Sequence, residues 1–128
     1  MPRPRSPQPT EVEIQILRIL WDLGPSLVRE IHRRLESAKG TGYSTTVKML
    51  AVMLDKGLVT RDEGAQPHIY RAALTRERAG KRLVRDLIER VYDGSAHSLV
   101  LQAMSMQRTT QEERDEIRRL LDQMEGKS

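Results

Sequence analysis

Residues 43–57, YSTTVKMLAVMLDKG, decide the fold, because their apolar side chains recur at the spacing of an amphipathic helix. On a helical wheel, one face collects the larger apolar side chains: Val47, Leu50, Met53, Leu54 and, at the margin, Met49. The opposite face collects hydroxyls, small apolar groups and cations: Ser44, Thr45, Lys48, Ala51, Val52 and Lys56. Hydroxyls and lysines suit phosphates and base edges, and valine suits a thymine methyl group. The alternative interpretation is an ordinary solvated helix face.

The segments on either side of this helix favour the first interpretation. The sequence predicts two helices before it and two strands after it, at residues 10–23, 27–38, 58–61 and 68–71. Thr10 and Glu13 form a capping box for the first helix, Ser26 is expected to cap the second, and Ser44 or Thr45 the third. Three helices followed directly by a hairpin indicate a winged helix-turn-helix. In that fold the third helix enters the major groove of DNA, and the hairpin reaches the adjacent backbone.

The rest of the chain is purely helical in pattern, with helices predicted at residues 75–93, 99–106 and 109–124. They are too few to cover their own apolar side chains, since roughly 50 residues make a marginal core. A symmetric dimer in which each partner completes the other is the economical solution. The alternative is a monomer in which they fold back on the winged helix. The residues expected at the dimer interface are Leu83, Leu87, Val91, Leu99, Val100, Leu101, Met104, Ile117, Leu120 and Leu121.

The predicted fold is therefore mainly α, a winged helix-turn-helix domain followed by a helical dimerisation domain. Residues 10–74 form the DNA-binding domain and residues 75–128 the three-helix dimerisation domain. Residues 1–9 are rich in proline and arginine, a composition that predicts a disordered basic arm. Arg3 and Arg5 of such an arm either reach into a DNA groove or belong to a solvated tail.

Composition narrows the class of partner. The 128 residues carry a net charge of +4 and a pI of about 9.8, a modest excess that suits nucleic acid or another polyanion. One Trp, three Tyr and no Phe leave few rings for stacking on single-stranded bases. The lack of cysteine excludes disulfides and thiolate metal sites. No apolar run suits a signal peptide or a membrane span, so we expect a cytoplasmic protein without membrane insertion.

Catalysis, cofactors and metals are not expected. The sequence has no nucleophile-elbow motif and no Gly-rich phosphate loop. His32, His68 and His97 fall on separate predicted elements, and His32 is expected to be exposed. A winged helix used only as a protein–protein interaction module, without specific DNA binding, is the remaining alternative, because a fold does not settle a function.

Several short motifs occur in order after Pro9: Thr10-Glu11, Ile19-Leu20-Trp21, Val28-Arg29-Glu30-Ile31, Tyr43-Ser44-Thr45-Thr46, Lys56-Gly57-Leu58-Val59, Ile69-Tyr70-Arg71, Val91-Tyr92-Asp93-Gly94 and Ser98-Leu99-Val100-Leu101. Together they resemble the penicillinase-repressor family of bacterial transcriptional regulators (the BlaI/MecI/CopY group). The resemblance implies a homodimeric repressor on a dyad operator. In the best-known members a membrane-bound sensor protease relieves repression by cleaving the repressor.

The chain also departs from those members. Their cleavage point is an Asn-Phe pair in the short apolar helix, and the corresponding residues here are Gln102 and Ala103. Copper-responsive members carry a C-terminal cysteine cluster, which this chain lacks. The resemblance therefore implies proteolysis within residues 99–106, with Gln102-Ala103 at the family's cleavage point but without the Asn-Phe pair that is cleaved there, and it excludes copper sensing through thiolates.

The residues predicted to contact DNA lie on the third helix and the hairpin: Tyr43, Ser44, Thr45, Lys48, Val52, Arg61, Gln66 and His68. Lys48 is the main candidate for a base or phosphate contact, and Val52 for a thymine methyl group. Tyr43 either donates to a phosphate or packs. The three hairpin residues are expected to contact phosphates rather than bases.

Overall fold

The computed structural model describes residues 8–126, and within them it has six helices and three short strands. In chain order these are α1 (Glu11–Leu23), β1 (Ser26–Leu27), α2 (Val28–Lys39), α3 (Tyr43–Asp55), β2 (Val59–Asp62), β3 (Ile69–Ala72), α4 (Arg76–Val91), α5 (Ala96–Met106) and α6 (Gln111–Glu125). This order confirms the winged helix-turn-helix and the helical segment after it. The chain divides into two compact units, Met1–Val84 and Arg85–Ser128. The predicted arm lies outside the described residues, except for Gln8 and Pro9.

A small antiparallel sheet, in the order β1-β3-β2, forms the wing. Strands β2 and β3 are paired from Val59↔Ala72 to Asp62↔Ile69. Both begin one residue later than the sequence predicted, and both are confirmed as strands. The third strand, β1, was not predicted, because two residues are too few to establish an alternating pattern.

Ser26 was predicted to cap α2, and this prediction is wrong. Ser26 is paired with Tyr70 as part of β1, and its Oγ donates a hydrogen bond to the carbonyl oxygen of Gly24 at 2.7 Å. The cap residue is Leu27, whose backbone amide donates to Oε1 of Glu30 at 2.9 Å. A carboxylate in the first turn therefore satisfies the amide that lacks a helical partner.

The apolar core of the first unit lies where α1, α2 and α3 meet the sheet. Ten side chains are almost fully buried there: Ile16, Leu17, Leu20, Ile31, Leu35, Leu50, Met53, Leu58, Val59 and Tyr70. Trp21 lies at the edge of this core, and its Nε1 donates to the carbonyl oxygen of Leu74 at 2.8 Å. This bond fixes the chain just before α4 against α1.

Three features of α3 differ from those predicted from the sequence. Gly42, rather than Ser44 or Thr45, is the N-cap residue, and no side chain accepts a hydrogen bond there. Val47 was assigned to the buried face but is 41% exposed. Thr46, which the helical wheel assigned to neither face, is fully buried. The stripe of buried residues on α3 is therefore rotated relative to the stripe of apolar residues, because α3 packs against polar as well as apolar neighbours.

Lys56 was assigned to the solvent-facing side of α3, but its side chain is only 8% exposed. Its Nζ lies 2.7 Å from Oε1 of Glu13 in α1 and 3.1 Å from the carbonyl oxygen of Gln8. Glu13 also completes the predicted capping box, since its Oε1 accepts from the amide of Thr10 at 2.8 Å. A buried ion pair thus joins the start of α1 to the end of α3.

The environment of Glu13 favours its charged form. Burial raises the pKa of this carboxyl group, but Lys56 and the hydrogen bonds with Thr10 outweigh burial and hold the pKa below its ordinary value of 4.5. Because the folded-state pKa is the lower one, the pair stabilises the fold fully above pH 4.5. That stabilisation is lost as the pH falls through the folded-state pKa.

The second unit contains the end of α4 and all of α5 and α6. Asp93 and Gly94, with φ angles of 50° and 84°, end the turn after α4. The side chain of Thr110 accepts from the amide of Glu113, and the Glu113 side chain accepts from the amide of Thr110, a second reciprocal capping box. Neither α5 nor α6 contains a buried residue.

We expect Lys56→Met to lower the free energy of unfolding at pH 7 by about 3 kcal/mol, because it leaves the buried Glu13 carboxylate without its partner. Urea denaturation followed by Trp21 fluorescence measures this change. The matched control is Arg34→Met, which breaks the exposed Arg34–Asp22 pair between α2 and α1 and should cost less than about 1 kcal/mol. The effect of Lys56→Met should shrink below pH 4.5. Equal losses in the two variants, or an unchanged effect at acid pH, would contradict this account.

Candidate nucleic-acid interface

The start of α3 presents an exposed and uncapped helix N-terminus. Tyr43, Ser44 and Thr45 form its first turn, and all three are exposed. No side chain caps these amides, and the turn contains no acidic residue. The free amides and the helix dipole at such a terminus attract anions, including phosphate groups. Two hydroxyl groups at the same place add further donors.

The rest of this face continues along α3. Lys48 is exposed and makes no ion pair with any described residue. Val52, one turn further on, is half-buried, and Ala51 beside it is exposed. Residues 44, 48 and 52 are spaced by four, so they lie along one side of the helix. The structure therefore brings together the α3 residues that the sequence predicted as DNA contacts.

The wing holds its predicted residues in a different electrostatic setting. Glu63 lies between two of them: its Oε1 is 2.9 Å from Nη2 of Arg61, and its Oε2 is 4.0 Å from Nε2 of His68. Hydrogen bonds with Tyr70 and Glu63 raise the pKa of the Arg61 guanidinium further above its already high value. Gln66 is exposed in the turn between β2 and β3. A phosphate at Arg61 or His68 would have to compete with the Glu63 carboxylate, whereas one at Gln66 would not.

His32 of α2 is a functional candidate that the sequence analysis missed. Its side chain was expected to be exposed, but only 16% of it is. Nδ1 lies 3.1 Å from Oγ1 of Thr46, and Nε2 lies 3.3 Å from Oε2 of Glu36. The imidazole and the ring of Tyr43 meet edge to face, with their centres 5.2 Å apart. His32 therefore supports both the outermost residue and the buried hydroxyl of the first turns of α3.

One signal in the sequence points to this contact. Thr46 lies among apolar residues on the side of α3 that packs inward, and a buried hydroxyl needs a hydrogen-bond partner. Within its own helix Oγ1 reaches only the carbonyl oxygen of Gly42, at 3.4 Å. A donor or acceptor from the preceding helix is the natural complement, and the sequence alone cannot say which side chain supplies it.

Three helices, a wing and a polar, uncapped third helix are the architecture of a DNA-binding regulator. Residues 9–123 match the model of the penicillinase repressor family, and the chain belongs to this family. The match confirms the resemblance drawn from the sequence motifs. Members of the family are transcriptional regulators rather than enzymes.

No curated protein is similar enough to the chain to count as a relative. Over residues 8–126, no helix has the length and apolar character needed to cross a membrane. In the same part of the chain, no three His, Cys, Asp or Glu side chains are grouped so as to hold a metal ion.

We expect His32→Leu to loosen the start of α3. The lost hydrogen bond to Thr46 is worth about 1 kcal/mol, so hydrogen-exchange protection of the Thr46 amide should fall about fivefold. His32→Asn keeps a polar group that can reach Thr46 and should restore most of the protection. His68→Leu, in the wing, is the control and should leave this amide unchanged. Full protection of Thr46 in His32→Leu would show that the contact does not hold the helix.

Proposed function

We propose that the chain is a dimeric transcriptional repressor that reads a dyad operator with α3 and its wing. The observation that carries this proposal is the exposed start of α3, which no described side chain caps, beside Lys48, which makes no ion pair with any described residue. Membership of the penicillinase repressor family supports the same function. Such a repressor acts in the cytoplasm, where the bacterial chromosome lies.

Each residue of the face has a role that its chemistry fits. The amides and hydroxyl groups of Ser44 and Thr45 bind phosphates or base edges at the entrance to the major groove. Lys48 donates to a base acceptor or a phosphate, and Val52 contacts a thymine methyl group. Tyr43, whose ring contacts the ring of His32, directs its hydroxyl group toward the DNA backbone.

The wing adds contacts to the adjacent phosphates. Gln66, at the exposed turn, binds without rearrangement, whereas Arg61 and His68 first exchange the Glu63 carboxylate for a phosphate oxygen. This exchange replaces one charged partner by another, so the wing contributes less to affinity than its two basic side chains alone would suggest. We therefore assign most of the binding energy to α3.

The apolar side chains of α4, α5 and α6 provide the proposed dimer interface. In a single chain, Val91, Leu101 and Leu121 are each about 60% exposed, and the remaining predicted interface residues are exposed or half-buried. Exposed apolar side chains at this density are typical of a surface that another protein covers. A two-fold dimer places two copies of α3 on half-sites about one helical turn of DNA apart, which matches a dyad operator.

We further propose that repression is relieved by cleavage of α5 at Gln102-Ala103 by a membrane-bound sensor protease, as the family resemblance implies. Both residues are exposed, but they lie within a helix, so α5 must unwind locally before a protease can bind it in an extended form. Intact-mass spectrometry of the repressor from induced cells tests this step. A chain that stays full-length while repression is lifted would overturn it.

The first test of the function is fluorescence anisotropy of the purified protein on the DNA upstream of its own gene, against scrambled DNA, over a salt series. We expect two protomers per site, a steep salt dependence and tighter binding to the upstream DNA. Lys48→Ala should weaken binding about tenfold or more if Lys48 contacts a base, and reduce the salt slope by about one if it contacts only a phosphate. Lys81→Ala, an exposed lysine of α4, is the control.

Undiminished binding by Lys48→Ala would remove this residue from the interface. Equal, salt-insensitive retention on both DNAs would overturn the proposed function. The winged helix would then be a docking surface for a protein.

A charge at the apolar surface should separate the protomers. Leu101→Glu places a carboxylate where the proposed interface buries a leucine, and burying an unpaired charge is strongly unfavourable. We expect sedimentation equilibrium to show a dimer for the wild type and a monomer for Leu101→Glu. Gln102→Glu adds the same charge to the neighbouring residue without removing an apolar group, and should remain more dimeric. A wild-type monomer at micromolar concentration would contradict the interface.

A further inference from the structure

The first unit carries a cavity that the DNA-reading face does not use. It has a volume of about 380 Å³ and is lined by residues of α1, α2 and the first residue of α4, with none from α3. Three arginines line it, Arg18, Arg34 and Arg76, together with one carboxylate, Asp22. The excess of two positive charges within a single concave site favours an anion.

Two of these guanidinium groups are held in place before any ligand arrives. Arg34 is paired with Asp22 across α1 and α2. Arg76 lies over the ring of Trp21, 5.5 Å from its centre, a cation–π contact that restrains the side chain. Arg18 makes no hydrogen bond or ion pair with any described residue. Because Asp22 already engages the Arg34 guanidinium, the cations offered to a ligand are Arg76, oriented by Trp21, and Arg18, and either can bind a carboxylate or phosphate in bidentate geometry.

The side-chain amide of Gln15 adds a further requirement, a hydrogen-bond donor on the ligand. Oε1 of Gln15, which lines the same cavity, is buried and has no hydrogen-bond partner among the described residues. A buried acceptor without a donor destabilises the protein, so a ligand N–H or O–H group at this point would be favoured. A bare anion satisfies the arginines but cannot satisfy this oxygen.

An apolar groove of about 220 Å³ adjoins the cavity and shares Arg18 and Arg76 with it. It runs between α1 and α4, where Leu17, Trp21 and Leu83 form part of its lining. Gly80 lies in the groove, and a Cβ atom built there would meet no atom within 4 Å. The groove therefore has room for a short alkyl chain or a single ring next to the arginines.

We propose that these two cavities form one binding site for a small amphiphilic anion: a carboxylate or phosphate on the arginines, an N–H or O–H donor on Gln15, and an apolar body between α1 and α4. An N-acyl amino acid has this chemistry, with its carboxylate, amide and acyl chain in the required order. Because no residue of α3 lines the site, the ligand leaves the DNA-reading face open. The site lies within the first unit, and of its lining residues only Leu83 is also a predicted interface residue.

Isothermal titration calorimetry of the full chain with four probes tests the site. N-octanoylglycine should bind saturably at one per chain. N-acetylglycine lacks the chain and the methyl ester of N-octanoylglycine lacks the charge, and each should bind at least tenfold more weakly. Octanoate lacks the amide donor and should bind severalfold more weakly, while octyl phosphate distinguishes a phosphate from a carboxylate head. Absence of saturable binding with every probe would overturn the proposal, as would equal binding of the ester.

Variants separate a built site from general adsorption of an amphiphile. Arg18→Gln should weaken N-octanoylglycine at least tenfold, whereas Arg33→Gln, an exposed arginine of α2 outside both cavities, should not change it. Gly80→Leu fills the groove and should reduce the affinity for N-octanoylglycine to the affinity that the wild type has for N-acetylglycine. Gly80→Ala, with a Cβ atom only, should bind as the wild type does and checks that the α4 backbone tolerates a side chain. Wild-type affinity in both Arg18→Gln and Gly80→Leu would refute the site.

Discussion

The placement of α3, the proposed DNA-reading helix, depends on one buried ion pair. Glu13 and Lys56 come from the first turn of α1 and from the residue after α3, and they meet at 2.7 Å with little access to solvent. Removing two charges from water is costly, and only close contact with further hydrogen bonds offsets that cost. Here Thr10 and Gln8 supply those bonds. An apolar contact tolerates small sliding of one helix along another, whereas this pair has a single favourable geometry. We infer that it fixes the end of α3 relative to α1.

The other end of α3 is held by a second polar contact. His32 meets the Thr46 hydroxyl and the Tyr43 ring, so α2 restrains the helix start as α1 restrains its end. Between these contacts, Leu50 and Met53 supply the apolar packing. The ion pair, the His32 contacts and this apolar packing together set the direction in which Ser44 and Lys48 face. The exposed residues of the proposed interface are thus set by residues buried behind it.

Most local parts of this design were predictable from the sequence, although the N-caps of α2 and α3 were not, and the non-local parts were not predictable. Helix periodicity, the Thr10–Glu13 capping box and the turn residues of the wing depend on neighbours within a few positions, so a single sequence contains them. The strand Ser26–Leu27 exists only because β3 pairs with it. Lys56 faces inward only because α1 begins opposite it. A helical wheel contains no information about β3 or α1. It therefore placed Lys56 in solvent and Val47 in the core.

The two units differ in burial, and the difference fits the roles proposed for them in a repressor. The first unit closes a core of ten buried side chains, and two of them, Leu50 and Met53, come from α3. In the second, neither α5 nor α6 buries a residue, so its apolar surface gains stability only when something covers it. If a second copy does so, affinity for a dyad depends on an interface far along the chain from α3. Under the proposed function, a cut in α5 would then relieve repression by separating the two copies of α3, and α3 itself would need no change.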